Sequence, residues 1–206
     1  MADAAIRGPA VAAPEAPPAE LERPDFEIVP LRGLALVAVA FVALIVAIAA
    51  NKFWPLEFLH VVFGSAWTII DLFLGLVLGP IMAQMPPQAR VAFTTRLMPK
   101  MLLIMPTVVT VTLAAGWQLG QVLGTVDRAY PNHGWVVASY IVVGVMAIIA
   151  LGLLEPANVA VLVELRKPRP NFEVVGRLMK RFVYSAGIIG VMQVATFVIM
   201  TKLATG

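Results

Sequence analysis

Apolar residues come along this chain in five long runs, separated by short stretches where proline, asparagine and charged residues gather. A helix rises 1.5 Å per residue, so about 20 apolar residues are needed to cross the hydrocarbon of a bilayer. Five segments meet that length: about Gly33–Ala50, Leu56–Gln84, Leu97–Gly124, Trp135–Val163 and Val175–Leu203. The connections between them, "NKFWP", "MPPQAR", "TVDRAYPNHG" and "RKPRPNFE", hold the breakers. The pattern predicts an all-α integral membrane bundle of five transmembrane helices, occupying residues 31–206. Several runs exceed the minimum, so the helices are expected to tilt or to extend past the hydrocarbon.

Composition agrees with the pattern. Of 206 residues, 60% are hydrophobic and 13% charged, about half the charge of an ordinary soluble domain. The mean hydropathy is +0.89. Too little polar surface remains to clothe a globule in water. The net charge of +3 does not indicate nucleic acid, because the basic residues lie beside apolar runs and read as topology signals. With no cysteine, disulfides, thiolate metal sites and cysteine nucleophiles are excluded.

The first 30 residues differ from the rest. They hold six of the sixteen prolines, and acids (Asp3, Glu15, Glu20, Glu22, Asp25, Glu27) outnumber bases. A secretory signal would open with a positive region followed at once by an apolar core. Residues 1–30 are therefore expected to be a disordered cytosolic tail, either plainly solvated or a docking peptide. Lysine and arginine give the orientation. Arg23, Arg32, Arg90, Arg96, Lys100, Arg166, Lys167, Arg169, Arg177, Lys180 and Arg181 fall on one side of the predicted bundle, and Lys52, Arg128 and Lys202 on the other. Eleven against three predicts an N-terminus inside and a C-terminus outside; the expected location is the cell (inner) membrane of a bacterium, as a multi-pass protein. Trp54, Trp117 and Trp135 sit toward the predicted outer ends, where an amphipathic indole ring settles.

Ionisable residues inside such spans are functional candidates. His60 lies about one turn into the second span, and Asp71 follows eleven residues later. Eleven steps of 100° bring the two within about 20° of one another, roughly 16 Å apart. Gly64, Trp67, Thr68, Gly75 and Gly79 share or border that stripe, and small and polar residues together mark a face turned toward other helices. Asp71 is either a proton or ion site or a hydrogen-bonding group; His60 is either a structural hydrogen-bonder or a metal or haem ligand. His133, in the loop between the third and fourth spans, falls on the same predicted side and is a second candidate ligand. Met98, Met101 and Met105 share a helical stripe; thioether sulfur suits Cu(I), and it equally fills gaps between helices. Glu155 precedes Pro156 at a predicted bend, with an expected ion pair to Lys180, Arg181 or Lys100 and an alternative role at the exit of an ion path. No catalytic triad, phosphate loop or zinc-protease helix is present.

Three stretches carry a family likeness: "FLHVVFGSAWTIIDLFLGLVLGP", "RLMPKMLLIMPTVVTVTLAAGWQLG" and "GVMQVATFVIMTK". Through them, over roughly residues 56–203, the chain resembles the small copper-resistance-D-like (CopD-like) membrane proteins, a group that includes distant membrane protoporphyrinogen oxidases. The resemblance implies a compact helical bundle with His60 as ligand to haem b or copper. The oxidase-like members carry a histidine and a lysine in the helix corresponding to "WVVASYIVVG"; neither is present here, which argues against porphyrinogen oxidation. The expectation is thus a non-enzymatic haem- or copper-binding bundle serving transport or electron transfer. The alternatives are a proton-coupled carrier with Asp71 as its titrating site, and a subunit or assembly factor of a larger membrane complex. The expected partners are the lipid bilayer and a membrane protein or second copy of the chain, with no nucleic acid.

Overall fold

The computed structural model describes residues 26–205, and every element among them is helical. The five helices long and apolar enough to span a membrane are α1 (Leu31–Ala50), α2 (Phe53–Gln84), α3 (Pro87–Leu123), α4 (His133–Leu165) and α5 (Phe172–Thr205). The expected tail falls largely on residues 1–25, outside the described residues; at its end, Phe26 and Ile28 pack against the core.

The third span begins ten residues earlier than the hydropathy pattern predicts, so "QARVAFTTR" is helix and not connection. Pro86 is extended and Pro87 takes the first helical position, where a missing N–H costs nothing. Arg90 and Arg96 are ordinary helix formers, and only an apolar criterion excludes them. Two helices stop on left-handed residues, α1 at Asn51 (φ 49°) and α3 at Gly124 (φ 68°). Asn171 starts α5 by accepting hydrogen bonds from the backbone N–H groups of Glu173 and Val174, at 3.0 and 3.2 Å.

Helices α2, α3, α4 and α5 form a ring in which α2 packs on α3 and α5, and α4 packs on α5 and, through its second half, on α3. The first span stands outside this ring. It leans on α3 and contributes two buried residues, Leu44 and Ala47, to a small cluster with Leu56, Leu59, Val111 and Ala115. The ring encloses the larger core, which includes Trp67, Met105, Leu154, Phe182 and Ile189.

Much of the outer surface is apolar, with Leu36, Ile148 and Leu151 more than 70% exposed. A surface of this kind needs apolar surroundings. Trp54, Trp117 and Trp135 are exposed near one end of the ring, Trp54 stacked on Phe58 and Trp117 tilted against Tyr140.

Two spans are not α-helical throughout. In α2 the stretch Phe73–Leu78 is π-helical, and in α4 so is Ala150–Leu154. Each is followed within two residues by proline: the Gly79 N–H reaches back five residues to the Leu74 carbonyl before Pro80, and the Glu155 N–H reaches Ala150 before Pro156. A proline ring pushes the carbonyl four residues earlier out of line, and a widened turn accommodates it. Pro99 and Pro106 sit in an uninterrupted α3; what "LGLVLGP" and "LGLLEP" add is a glycine four or five residues before the proline.

Candidate functional site

Each π-helical segment has a carboxylic acid at one end. Asp71 lies two residues before the first, and Glu155 follows the second directly. Asp71 stands roughly 27 Å along α2 from Phe53 and roughly 20 Å from Gln84, near mid-helix. Its side chain is 0% exposed. Glycine brings a neighbour to it. Below Asp71 the backbones of Gly75 and Gly187 touch, so that a Cβ on Gly75 would land on the α5 main chain. A Cβ on Gly190 would likewise meet the Leu72 backbone N at 2.9 Å. This close crossing holds the Gln193 amide of α5 against the carboxyl, its Nε2 donating to Asp71 Oδ2 at 3.4 Å. Trp67, one turn earlier on α2, lies alongside, and Glu155 of α4 is near enough for its charge to act on Asp71.

The hydrogen bonds of the interior separate ordinary polar residues from unusual ones. Thr68, Thr94, Thr107 and Thr112 each donate to the carbonyl four residues back on their own helix, at 2.6–2.9 Å. Ser139 and Thr196 do the same over three residues. Such hydroxyls ask nothing of the rest of the protein, so the threonine stripe of α3 is self-contained. Asp71 Oδ1, Gln193 Oε1 and both amide atoms of Asn158 are buried with no partner in good hydrogen-bond geometry, Trp67 lying beside the Asp71 carboxyl and Glu155 beside the Asn158 amide. A buried polar atom without a partner costs about 1–3 kcal/mol. Here three of the four are oxygens, which would accept a donor or a cation.

Glu155 does not form the expected ion pair. Its neighbour is Asn158, and the Arg181 guanidinium donates instead to the Gly152 carbonyl at 3.3 Å. Pro156 has no N–H to offer that carbonyl, and a charged donor from α5 takes the place. The acid–base pair observed at this end joins Glu164 to Lys167, with Glu164 Oε1 also accepting the Asn171 N–H at 3.1 Å.

The two histidines take separate places. His60 turns toward α3, where its Nδ1 meets the Thr112 carbonyl at 2.9 Å. A carbonyl only accepts, so Nδ1 carries a proton and donates it to this bond. Gly116 makes room for the ring: a Cβ there would stand 2.5 Å from both Cε1 and Nδ1. His60 and Asp71 both look inward, but one faces α3 and the other α5. His133 is not in a loop; it is the first residue of α4, with its Nδ1 buried and unpartnered. Tyr130 terminates the preceding turn by accepting the His133 N–H at 3.0 Å, which lets the helix start two residues earlier than hydropathy predicts. Among the described residues, no three His, Asp or Glu side chains are grouped so as to hold a metal ion. Met98, Met101 and Met105 are buried in the main core together with Met82, Met146 and Met179.

Gln193 and Asn158, which complete the buried polar set, are not singled out by helical spacing. The signal available for them is a carboxamide within an apolar span. No family model, no curated protein and no solved structure matches this chain, so the site stands on its own geometry.

Proposed function

We propose that this protein spans a bacterial inner membrane five times, with its N-terminus inside, and carries protons through the four-helix ring with Asp71 as the exchanging group. The observation that supports this reading is the mid-helix carboxyl with Oδ1 unpartnered, set against an amide whose Oε1 is also unpartnered. An isolated charge in hydrocarbon is very costly, so a proton or cation must accompany each change of state of that carboxyl. Mid-span carboxylates serve ion paths for this reason. The cycle needs one exchange: a donor on one side protonates Asp71, and the same oxygen returns the proton toward the other side. Glu155, roughly 15 Å from the end of α4, is the next acid on the cation-rich side. The π-helical turns beside both acids leave backbone that can re-pair without unfolding a span. Proton flux into liposomes tests the reading: it should be present with wild type and absent with Asp71→Asn, and equal flux in both would overturn it.

A second reading, haem b or copper at His60, draws on the Nδ1–H donated to Thr112, an arrangement that fixes a ring nitrogen for a ligand on Nε2. The donor set fits it poorly, because the residues around His60 supply a packing glycine and a threonine carbonyl. A Soret band or stoichiometric copper on purified protein would favour this reading.

A further inference from the structure

Where α2 and α5 part below the Gly75–Gly187 crossing, a groove of about 420 Å³ opens on the outside of the ring. At its upper end Gly79 packs on Val183, where a Cβ would stand 2.5 Å from a valine methyl; beyond that contact Ala83 on the α2 wall and Gly176 on the α5 wall leave it open. At its mouth, on the cation-rich side, stand Arg90 and Lys180. Arg90 is held there because its guanidinium donates to the carbonyls of Met82, Ala83 and Met85 at 3.0–3.2 Å, closing the last turn of α2. Its charge stays at the mouth although its donors are engaged. Lys180 is exposed, with Nζ 5.7 Å from the centre of the Tyr184 ring, and no carboxylate pairs with it among the described residues. Arg177 and Arg181 flank it on α5; the acid on this face, Glu173, lies two turns nearer the helix start.

From the apolar walls and the cationic mouth, we propose that this groove is a binding site for an anionic glycerophospholipid, one acyl chain lying along Ala83 and Val183 and the phosphate held by Lys180. The inference rests on the membrane-spanning part of the proposed function and is independent of proton movement. Charge complementarity selects the lipid. A basic side chain at the headgroup level attracts an anionic lipid, and lysine reaches that level by extending its stem along the helix. A zwitterionic lipid fills the walls equally well and gains less at the mouth.

The experiment uses the full chain, extracted from membranes and stripped of lipid in detergent, with bound lipid counted by native mass spectrometry. Phosphatidylglycerol should be retained about fivefold more tightly than phosphatidylcholine with the same chains, and Lys180→Gln should weaken that preference, Arg90 keeping the remainder, while leaving phosphatidylcholine unchanged. A Cβ at Gly176 meets nothing within 4 Å, so Gly176→Phe should fold, fill the groove and weaken both lipids. Equal retention of the two lipids by wild type, a comparison that needs no variant, would overturn the proposal. So would full displacement by glycerol 3-phosphate, which would assign the cations to a free phosphate. Protein that is not recovered in the membrane fraction would instead refute the spanning reading beneath it.

Discussion

Replacing Gly116 by alanine should destabilise the protein in a way that replacing His60 reverses. A Cβ at position 116 would stand 2.5 Å from two atoms of the imidazole, nearer than real Cβ contacts come, so the ring must move. Overpacking of this kind costs about 1–3 kcal/mol, and losing the His60–Thr112 hydrogen bond at 2.9 Å adds about 1 kcal/mol. Alanine in a helix returns about 0.5–1 kcal/mol over glycine. The net expectation for Gly116→Ala is a loss of about 2 kcal/mol. In a His60→Ala background both penalties vanish and the alanine gain remains, so the same substitution should stabilise by about 0.5–1 kcal/mol. The two sites would then couple by about 3 kcal/mol, as contacting residues do. Reversible unfolding of all four proteins in one detergent measures the cycle. Gly116→Ala tolerated in the wild-type background, or equally harmful in both, would refute the claim that the glycine exists to seat the imidazole.

Arg181→Met should cost about 1–3 kcal/mol, because it removes the donor from the Gly152 carbonyl that Pro156 leaves unpaired; in a Pro156→Ala background, where residue 156 regains its N–H, the same change should cost much less, and unfolding in detergent checks both. Replacing Met98, Met101 and Met105 together by leucine should cost less than about 1.5 kcal/mol per site and leave proton flux and copper content unchanged by flux assay and metal analysis; loss of bound copper would return these residues to a ligand role.

The five helices were legible because apolar run length is a strong signal, and the inward face of α2 because glycine, tryptophan and threonine share the stripe of Asp71. The start of α3 was not, since polar first turns such as "QAR" escape an apolar criterion even though Pro87 marks them. The π-helical turns left only a faint trace, the glycine before each of Pro80 and Pro156. Pairings across helices were beyond reach: Glu155 had three cations at suitable depth, yet the carbonyl freed by Pro156 draws Arg181 elsewhere. Helical periodicity also treats Thr107, Thr112 and Gln193 alike. Geometry separates them, because each threonine hydroxyl folds back on its own helix while the Gln193 amide crosses to α2 and meets Asp71.

The measurement that bears most directly on the account is acidification inside sealed vesicles containing the purified protein, driven by a potassium diffusion potential and followed with a trapped pH dye. Wild type should acidify the lumen, and Asp71→Asn, which keeps the shape of the side chain and its contact with Gln193, should not exceed empty vesicles while unfolding at a comparable temperature. A folded Asp71→Asn protein that acidifies as fast as wild type would contradict the central role given to this carboxyl.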